Sequence, residues 1–140
     1  MSVPEGKRST SKLEVFVKSQ QLAKYTIEIC CNENIFIPKY QNAITNDIIR
    51  TAKDIYINCW TANNVKVTDI DTFKERHKLQ REAHRNCNNL LALIQIAGSV
   101  FHLKNKRIKY WGEKTLEVRN MITKWMQNDN ERYKDIGCKL

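Results

Sequence analysis

The 140-residue chain is the size of one ordinary domain, and at 41% hydrophobic and 28% charged it has the make-up of a globular protein, not of a disordered tail or a membrane protein. No apolar run approaches the ~20 residues of a membrane span, and four glycines with two prolines are too few for an all-β fold, which turns about every 8–12 residues. The net charge is +9, and residues 1–73 hold nine Lys or Arg against eight Asp or Glu while residues 74–140 hold fifteen against seven, so nearly all the excess lies in the second half, where a polyanion is the natural partner.

Residues 1–10 read as a polar, disordered tail without an apolar leader core, which gives the expectation of a cytoplasmic protein. Ser11-Lys12-Leu13-Glu14 is a capping-box pattern. Leu13, Phe16, Gln20, Ala23, Ile27 and Cys30 follow in steps of three and four and predict a first helix over about 12–32. Ile35-Phe36-Ile37 is a short apolar clamp. Pro38 suits the first turn of a second helix, over about 39–64, with the stripe Ile44, Ile48, Ala52, Ile55, Cys59 and Ala62. Thr72-Phe73-Lys74-Glu75 repeats the capping box and opens a third helix that runs to about Leu103, close to ~50 Å at the usual rise. Lys104-Asn105-Lys106-Arg107 turns the chain. Ile108, Trp111, Thr115, Val118, Ile122 and Trp125 mark a fourth helix over about 106–128, and residues 134–140 form a polar tail. The prediction is an all-α, up-down-up-down four-helix bundle over residues 11–133.

The third helix carries the most information. At ~100° per residue, Phe73, Gln80, Cys87, Leu90, Leu91, Ile94 and Phe101 share the core side. Lys74, Lys78, Arg81 and Arg85 cluster within about 60° well off that side, forming a row of cations able to follow a phosphate backbone. Glu75 and Glu82 are expected on a different face, leaving the row unneutralised. From Leu90 to Phe101 the helix is apolar around nearly its whole circumference. Leu93, Ile96 and Val100 point away from the core and predict a homo-oligomer interface. Gly98, on the core side, suggests close approach of a neighbouring backbone. Lys104, Lys106, Arg107 and Lys109, followed by Tyr110 and Trp111, make a second basic cluster, with Trp111 on the fourth helix's core stripe.

Motifs for chemistry are scarce. His77 and His84 stand two turns apart, ~10.5 Å along the helix, too far to share a metal. His84 and Cys87 have i, i+3 spacing but no further ligands at plausible spacing. The five cysteines include no Cys-x-x-Cys and read as reduced thiols, with Cys59 and Cys87 on core faces. No Gly-rich phosphate loop and no nucleophile context occurs. Helical ribonucleases of the prokaryotic toxin type use Arg-x(4–6)-His; here Arg76 to His84 is too long and Arg81 to His84 too short. The expectation is no catalytic residue, no metal and no cofactor.

Several stretches carry a resemblance. Lys12-Leu13-Glu14-Val15-Phe16-Val17-Lys18, Asn46-Asp47-Ile48-Ile49-Arg50-Thr51-Ala52-Lys53-Asp54-Ile55, Cys87-Asn88-Asn89-Leu90-Leu91-Ala92-Leu93-Ile94, Lys106-Arg107-Ile108-Lys109-Tyr110-Trp111-Gly112 and Val118-Arg119-Asn120-Met121-Ile122 resemble the bacterial four-helix-bundle family first noted in ribosomal RNA intervening sequences. Over about residues 7–133 the chain is most similar to its branch of accessory variability determinant (Avd) proteins of diversity-generating retroelements. The Asn-Ile-Ala-Glu-Gly segment common in the intervening-sequence branch is missing; Asn58-Cys59-Trp60-Thr61-Ala62-Asn63-Asn64 stands near its place. The resemblance implies a non-catalytic, basic homopentamer that associates with a reverse transcriptase and its template RNA during mutagenic complementary-DNA synthesis. It names no nucleic-acid ligands, so the eight cations above come from periodicity and charge alone. The competing expectation is a structural or interaction bundle that meets an acidic protein partner instead of RNA or DNA.

Overall fold

Four long helices carry the chain: α1 (Glu5–Cys30), α2 (Asn46–Asn64), α3 (Ile70–Val100) and α4 (Asn105–Arg132). The structure is a computed structural model that describes residues 5–136, with side chains from residue 14 onward. Residues 1–4 and 137–140 of the expected tails, and the side chains of the Ser11 capping pattern up to Leu13, lie outside the described residues. The α1 backbone is helical from Glu5, so Ser11 falls inside the helix and not at the start predicted near residue 12. Residues 134–136, expected as tail, form a short 3-10 turn.

Each helix packs on the next in the chain, and α1 closes against α4. The direction of packing follows from individual contacts. Along the α3–α4 seam Arg76 meets Asp129, Asn88 meets Arg119, Gly112 faces Leu91 and Gly98 faces Ile108. One number rises as the other falls, so the two helices are antiparallel. Between α1 and α4, Phe16 meets Trp125 and Thr26 meets Trp111, again in opposite directions. The result is a closed bundle with diagonal helices separated by side chains. A Cβ built at Gly98 would stand 2.7 Å from Ile108 Cδ1, which is the close approach expected at that glycine.

The core stripes are heptad-like. Ile48, Ala52, Ile55, Cys59 and Ala62 of α2 are buried as predicted. On α3 the buried set is Phe73, Arg76, Gln80, Ala83, Cys87, Leu90, Ile94 and Ala97, in unbroken steps of three and four. On α4 it is Trp111, Thr115, Val118, Ile122, Trp125 and Asp129. The α1 stripe differs from the expected one. Val15, Ser19, Leu22, Thr26 and Ile29 face inward; of the expected stripe Ala23 and Cys30 are buried, whereas Gln20 is exposed and Phe16 and Ile27 are half-buried. The true stripe contains two hydroxyls that satisfy themselves locally or across the core. Ser19 Oγ donates to the Phe16 carbonyl at 3.3 Å, and Thr26 Oγ1 accepts from Trp111 Nε1 at 3.0 Å.

Helix boundaries differ for physical reasons. Asp69 caps α3, not Thr72. Its Oδ1 accepts from the Thr72 N–H at 2.8 Å while the Asp69 N–H donates to Thr72 Oγ1 at 3.1 Å. A carboxylate at the N-cap also meets the positive end of the helix dipole, and these hydrogen bonds hold the Asp69 carboxyl below its ordinary value. Before α2 the chain forms a 3-10 turn at Pro38–Tyr40 and a π turn at Gln41–Thr45 in place of continuous α-helix. The Phe36 ring lies tilted against Phe101, their centroids 4.4 Å apart, and sits edge-on to Trp111, while Tyr40 also touches Phe101. That aromatic group seals the end of the bundle around the α3–α4 turn. The turn itself is a Schellman closure in which the Leu103 N–H donates to the Gly98 carbonyl at 3.1 Å across His102, held at φ 53°.

The most demanding contact is a buried ion pair. Arg76 and Asp129 are 3% and 4% exposed. Arg76 Nε donates to Asp129 Oδ2 at 2.6 Å, its Nη2 to Oδ1 at 3.1 Å, and Gln80 Nε2 adds a third bond at 2.8 Å. The guanidinium also lies 5.2 Å from the Trp125 ring. Removing one partner leaves the other charge buried and uncompensated. Asp129→Ala is therefore expected to destabilise the fold by about 3–5 kcal/mol in urea titrations, and Arg76→Met combined with Asp129→Leu to recover most of that loss. A small effect of Asp129→Ala would show that the pair is dispensable.

Candidate nucleic-acid interface

Helix α3 lays its first four predicted cations along one outer edge. Lys74, Lys78, Arg81 and Arg85 are all exposed. Lys74, Lys78 and Arg81 make no ion pair among the described residues. Arg85 does: its Nη1 lies 2.9 Å from Glu82 Oε1. The expectation that Glu82 stays clear of the row is thus corrected, because an i, i+3 spacing brings the two side chains together on the helix surface. Glu75 is exposed and pairs with none of them.

The second cluster sits at the other end of the α3–α4 face. Lys104, Lys106 and Lys109 are exposed and Arg107 is half-buried; none is ion-paired among the described residues. Their position is electrostatically unfavourable. They occupy the N-terminal turns of α4, where the helix dipole is positive, and the first turn contains no acid and no side-chain cap. The two clusters are not brought together: the rest of α3 after Arg85, ~22 Å of helix, and the turn that follows separate Arg85 from Lys104. Arg119 lies between them, its Nη1 donating to Asn88 Oδ1 at 3.0 Å. Tyr110 is half-exposed, stands edge-on to Tyr25 and carries Lys114 Nζ at 5.1 Å from its ring. Trp111 is fully buried and belongs to the core, as its stripe position indicated.

A groove that the sequence did not reveal runs along the same seam. Its volume is about 510 Å³, and His77, Arg81, His84 and Arg85 of α3 face Gln127 and Asn130 of α4 across it. No carboxylate lines it. Burial, with Arg81 nearby, holds the His77 imidazole below its ordinary value, opposed by Asp129. Burial, with Arg119 nearby, does the same for His84. His77 stacks on Phe73 at 5.9 Å, and its Nδ1 is buried without a hydrogen bond. Both rings are therefore neutral at pH 7.

The predicted oligomer face is only partly outward. Ile96 is 52% exposed, but Leu93 and Val100 are half-buried and Leu93 packs against the core margin. Further exposed apolar residues that the sequence reading missed lie on α1 and α2, where Val17, Ile57 and Trp60 are each about half exposed. Trp60 stands edge-on to Phe16 at 6.3 Å and beside Tyr56 at 6.2 Å. Ile57 and Trp60 are one helical turn apart, a spacing visible in the sequence but lying outside the α2 core stripe.

Cys30, Cys59 and Cys87 are buried free thiols. Burial pushes Cys30 and Cys87 up to about 12 and Cys59 also upward, so these sulfurs stay protonated and are poor nucleophiles and poor metal ligands. Among the described residues no helix is long and apolar enough to cross a membrane.

Because folding lowers the affinity of His77 and His84 for protons, the unfolded chain takes them up first on acidification. Stability is full above the ordinary imidazole value of 6.5 and falls as pH drops through it. Urea midpoints at pH 7.5 and 5.5 are expected to show the lower value at pH 5.5, with the gap narrowed in the His77→Gln, His84→Gln double variant. Equal midpoints in the native protein would contradict the burial of these rings.

In comparisons with known proteins, no family model, no curated protein and no solved structure matches the chain.

Proposed function

We propose that the protein is a non-catalytic, oligomeric nucleic-acid-binding accessory protein that works beside a retroelement reverse transcriptase and its template RNA. The observation that supports this reading most is the state of the cations. Of the eight that periodicity singled out, only Arg85 is ion-paired among the described residues, and seven are exposed, along one edge of α3 and at the start of α4. Unpaired cations set side by side along a helix edge repel one another, and a polyanion relieves that repulsion while its counterions are released. The reverse transcriptase and RNA come from the family resemblance, and the assembly from the same source together with the exposed apolar residues. A second reading, a bundle that docks on an acidic protein partner, draws its support from the Val17, Ile57 and Trp60 surface.

Binding to a short single-stranded oligonucleotide separates the two readings. Affinity is expected to fall steeply with salt, with a slope of about −0.7 per phosphate contact. Changing Lys74, Lys78, Arg81 and Arg85 together to Glu should abolish binding and leave the helical circular dichroism intact, because all four lie off the core. Unchanged affinity in that variant would defeat the assignment. Light scattering at micromolar concentration is expected to give a mass several times that of the subunit, reduced by Ile96→Lys. A strictly monomeric protein would defeat the oligomer.

A further inference from the structure

The α3–α4 groove combines features that the open cation row lacks. It is a concave site of about 510 Å³ on the α3–α4 seam, lined in part by Arg81 and Arg85, the last two members of the exposed row. Every ionisable group lining it is a base, since His77 and His84 complete the α3 wall and no carboxylate is present. The opposite wall offers the Gln127 and Asn130 amides, neutral donors that complement an oxyanion without adding charge. The two nearest acids are occupied. Asp129 lies beneath the groove, bound by Arg76 and Gln80, and Glu82 is held by Arg85. Asn88 and Thr123, at the α4-ward end, already serve Arg119, which donates to Asn88 Oδ1 and accepts from Thr123 Oγ1 through its carbonyl.

We propose that this groove is the seat of one backbone phosphate of a single-stranded polynucleotide, gripped by Arg81 and Arg85 and, once they are protonated, by His77 and His84. The proposal rests on the nucleic-acid reading above and adds its phosphate seat and its regulation by pH. Four charged groups bear on the imidazoles. Arg81 and Arg85 belong to α3, while Asp129 and Arg119 come from α4. Without an anion the arginines and partial burial keep both rings neutral at pH 7. A bound phosphate reverses that balance by supplying a negative charge beside each ring. By linkage, phosphate binding takes up protons, and acidification tightens binding. The groove thus holds a strand more firmly at pH 5.5 than at pH 7.5.

Two measurements test this on the full chain. In the first, binding of a short single-stranded oligonucleotide is followed at pH 7.5 and 5.5 at constant ionic strength. The native protein is expected to gain about tenfold in affinity at the lower pH. The His77→Gln, His84→Gln variant should lose most of that gain. An equal gain in the variant overturns the seat and leaves the nucleic-acid reading standing. No binding by the native protein at either pH overturns the nucleic-acid reading itself. In the second, imidazole proton resonances of the native protein are titrated with and without inorganic phosphate. His77 and His84 are expected to titrate at higher pH when phosphate is present. Phosphate that moves neither overturns the seat. Phosphate that moves His77 and His84 in a protein that binds no oligonucleotide assigns the groove to a free phosphate and overturns the polynucleotide as its ligand.

Discussion

The Arg76–Asp129 pair is the interaction on which the arrangement of the bundle depends. An arginine and an aspartate both removed from water are tolerated only when each satisfies the other, and the geometry here is bidentate with Gln80 completing the carboxylate. Such a contact has little freedom. Sliding α3 against α4 by one turn, or rotating either helix, would bury two unpartnered charges. The apolar layers above it, from Cys87 to Ala97 on α3 and from Trp111 to Ile122 on α4, contribute most of the burial but would accept a shifted register more readily. The ion pair therefore selects one register from several that hydrophobicity alone would allow.

Fixing that register fixes what the outer faces present. With Arg76 turned inward, Lys74, Lys78, Arg81 and Arg85 must point outward, and Arg81 and Arg85 also line the groove at the seam with α4. The same orientation sets His77 and His84 opposite Gln127 and Asn130. At the far end, the close approach at Gly98 and the Schellman turn through His102 bring α4 back along α3 and place Lys104, Lys106, Arg107 and Lys109 around its first turns. A helix start normally favours acids. Four bases there, with no acid in the first turn, work against local stability, and that cost is consistent with a surface shaped for an anionic partner.

Much of the fold was legible because the core stripes keep strict steps of three and four. The α2 stripe was read residue for residue. On α3 the reading missed Arg76, Ala83 and Ala97 and included Leu91 and Phe101, which are half-buried; on α4 it missed Asp129. The charged members follow the same rhythm: Arg76 stands between Phe73 and Gln80, and Asp129 is the next step after Trp125. Opposite charges at corresponding ends of two core stripes were the signal for a buried pair, and a rule that charge means surface hid it. On α1 the phase was lost for a related reason, since Ser19 and Thr26 lie on the inward stripe and looked like solvent positions until Trp111 supplied the partner for Thr26. Thr72 was read as the cap from its Thr-x-x-Glu spacing, whereas the Asp69 carboxylate, a stronger acceptor, takes the N-cap and Thr72 supplies the reciprocal bond at N3. The π turn at Gln41–Thr45 has no local sequence mark; it arises where Phe36 and Tyr40 meet Phe101, about sixty residues away in the chain. The groove was illegible in the same way, because neither helix alone forms a concavity. Its walls come from positions some fifty residues apart, joined only by the register of α3 on α4.

The central claim is that the basic edge of α3 and the start of α4 are the surface that meets a polyanion. Amide spectra of isotope-labelled protein, recorded as a short single-stranded oligonucleotide is added, locate the contact directly. The account predicts that the perturbed amides gather between Lys74 and Arg85 and between Lys104 and Lys109. Perturbations gathered instead around Val17, Ile57 and Trp60, or none at saturating oligonucleotide, would contradict it.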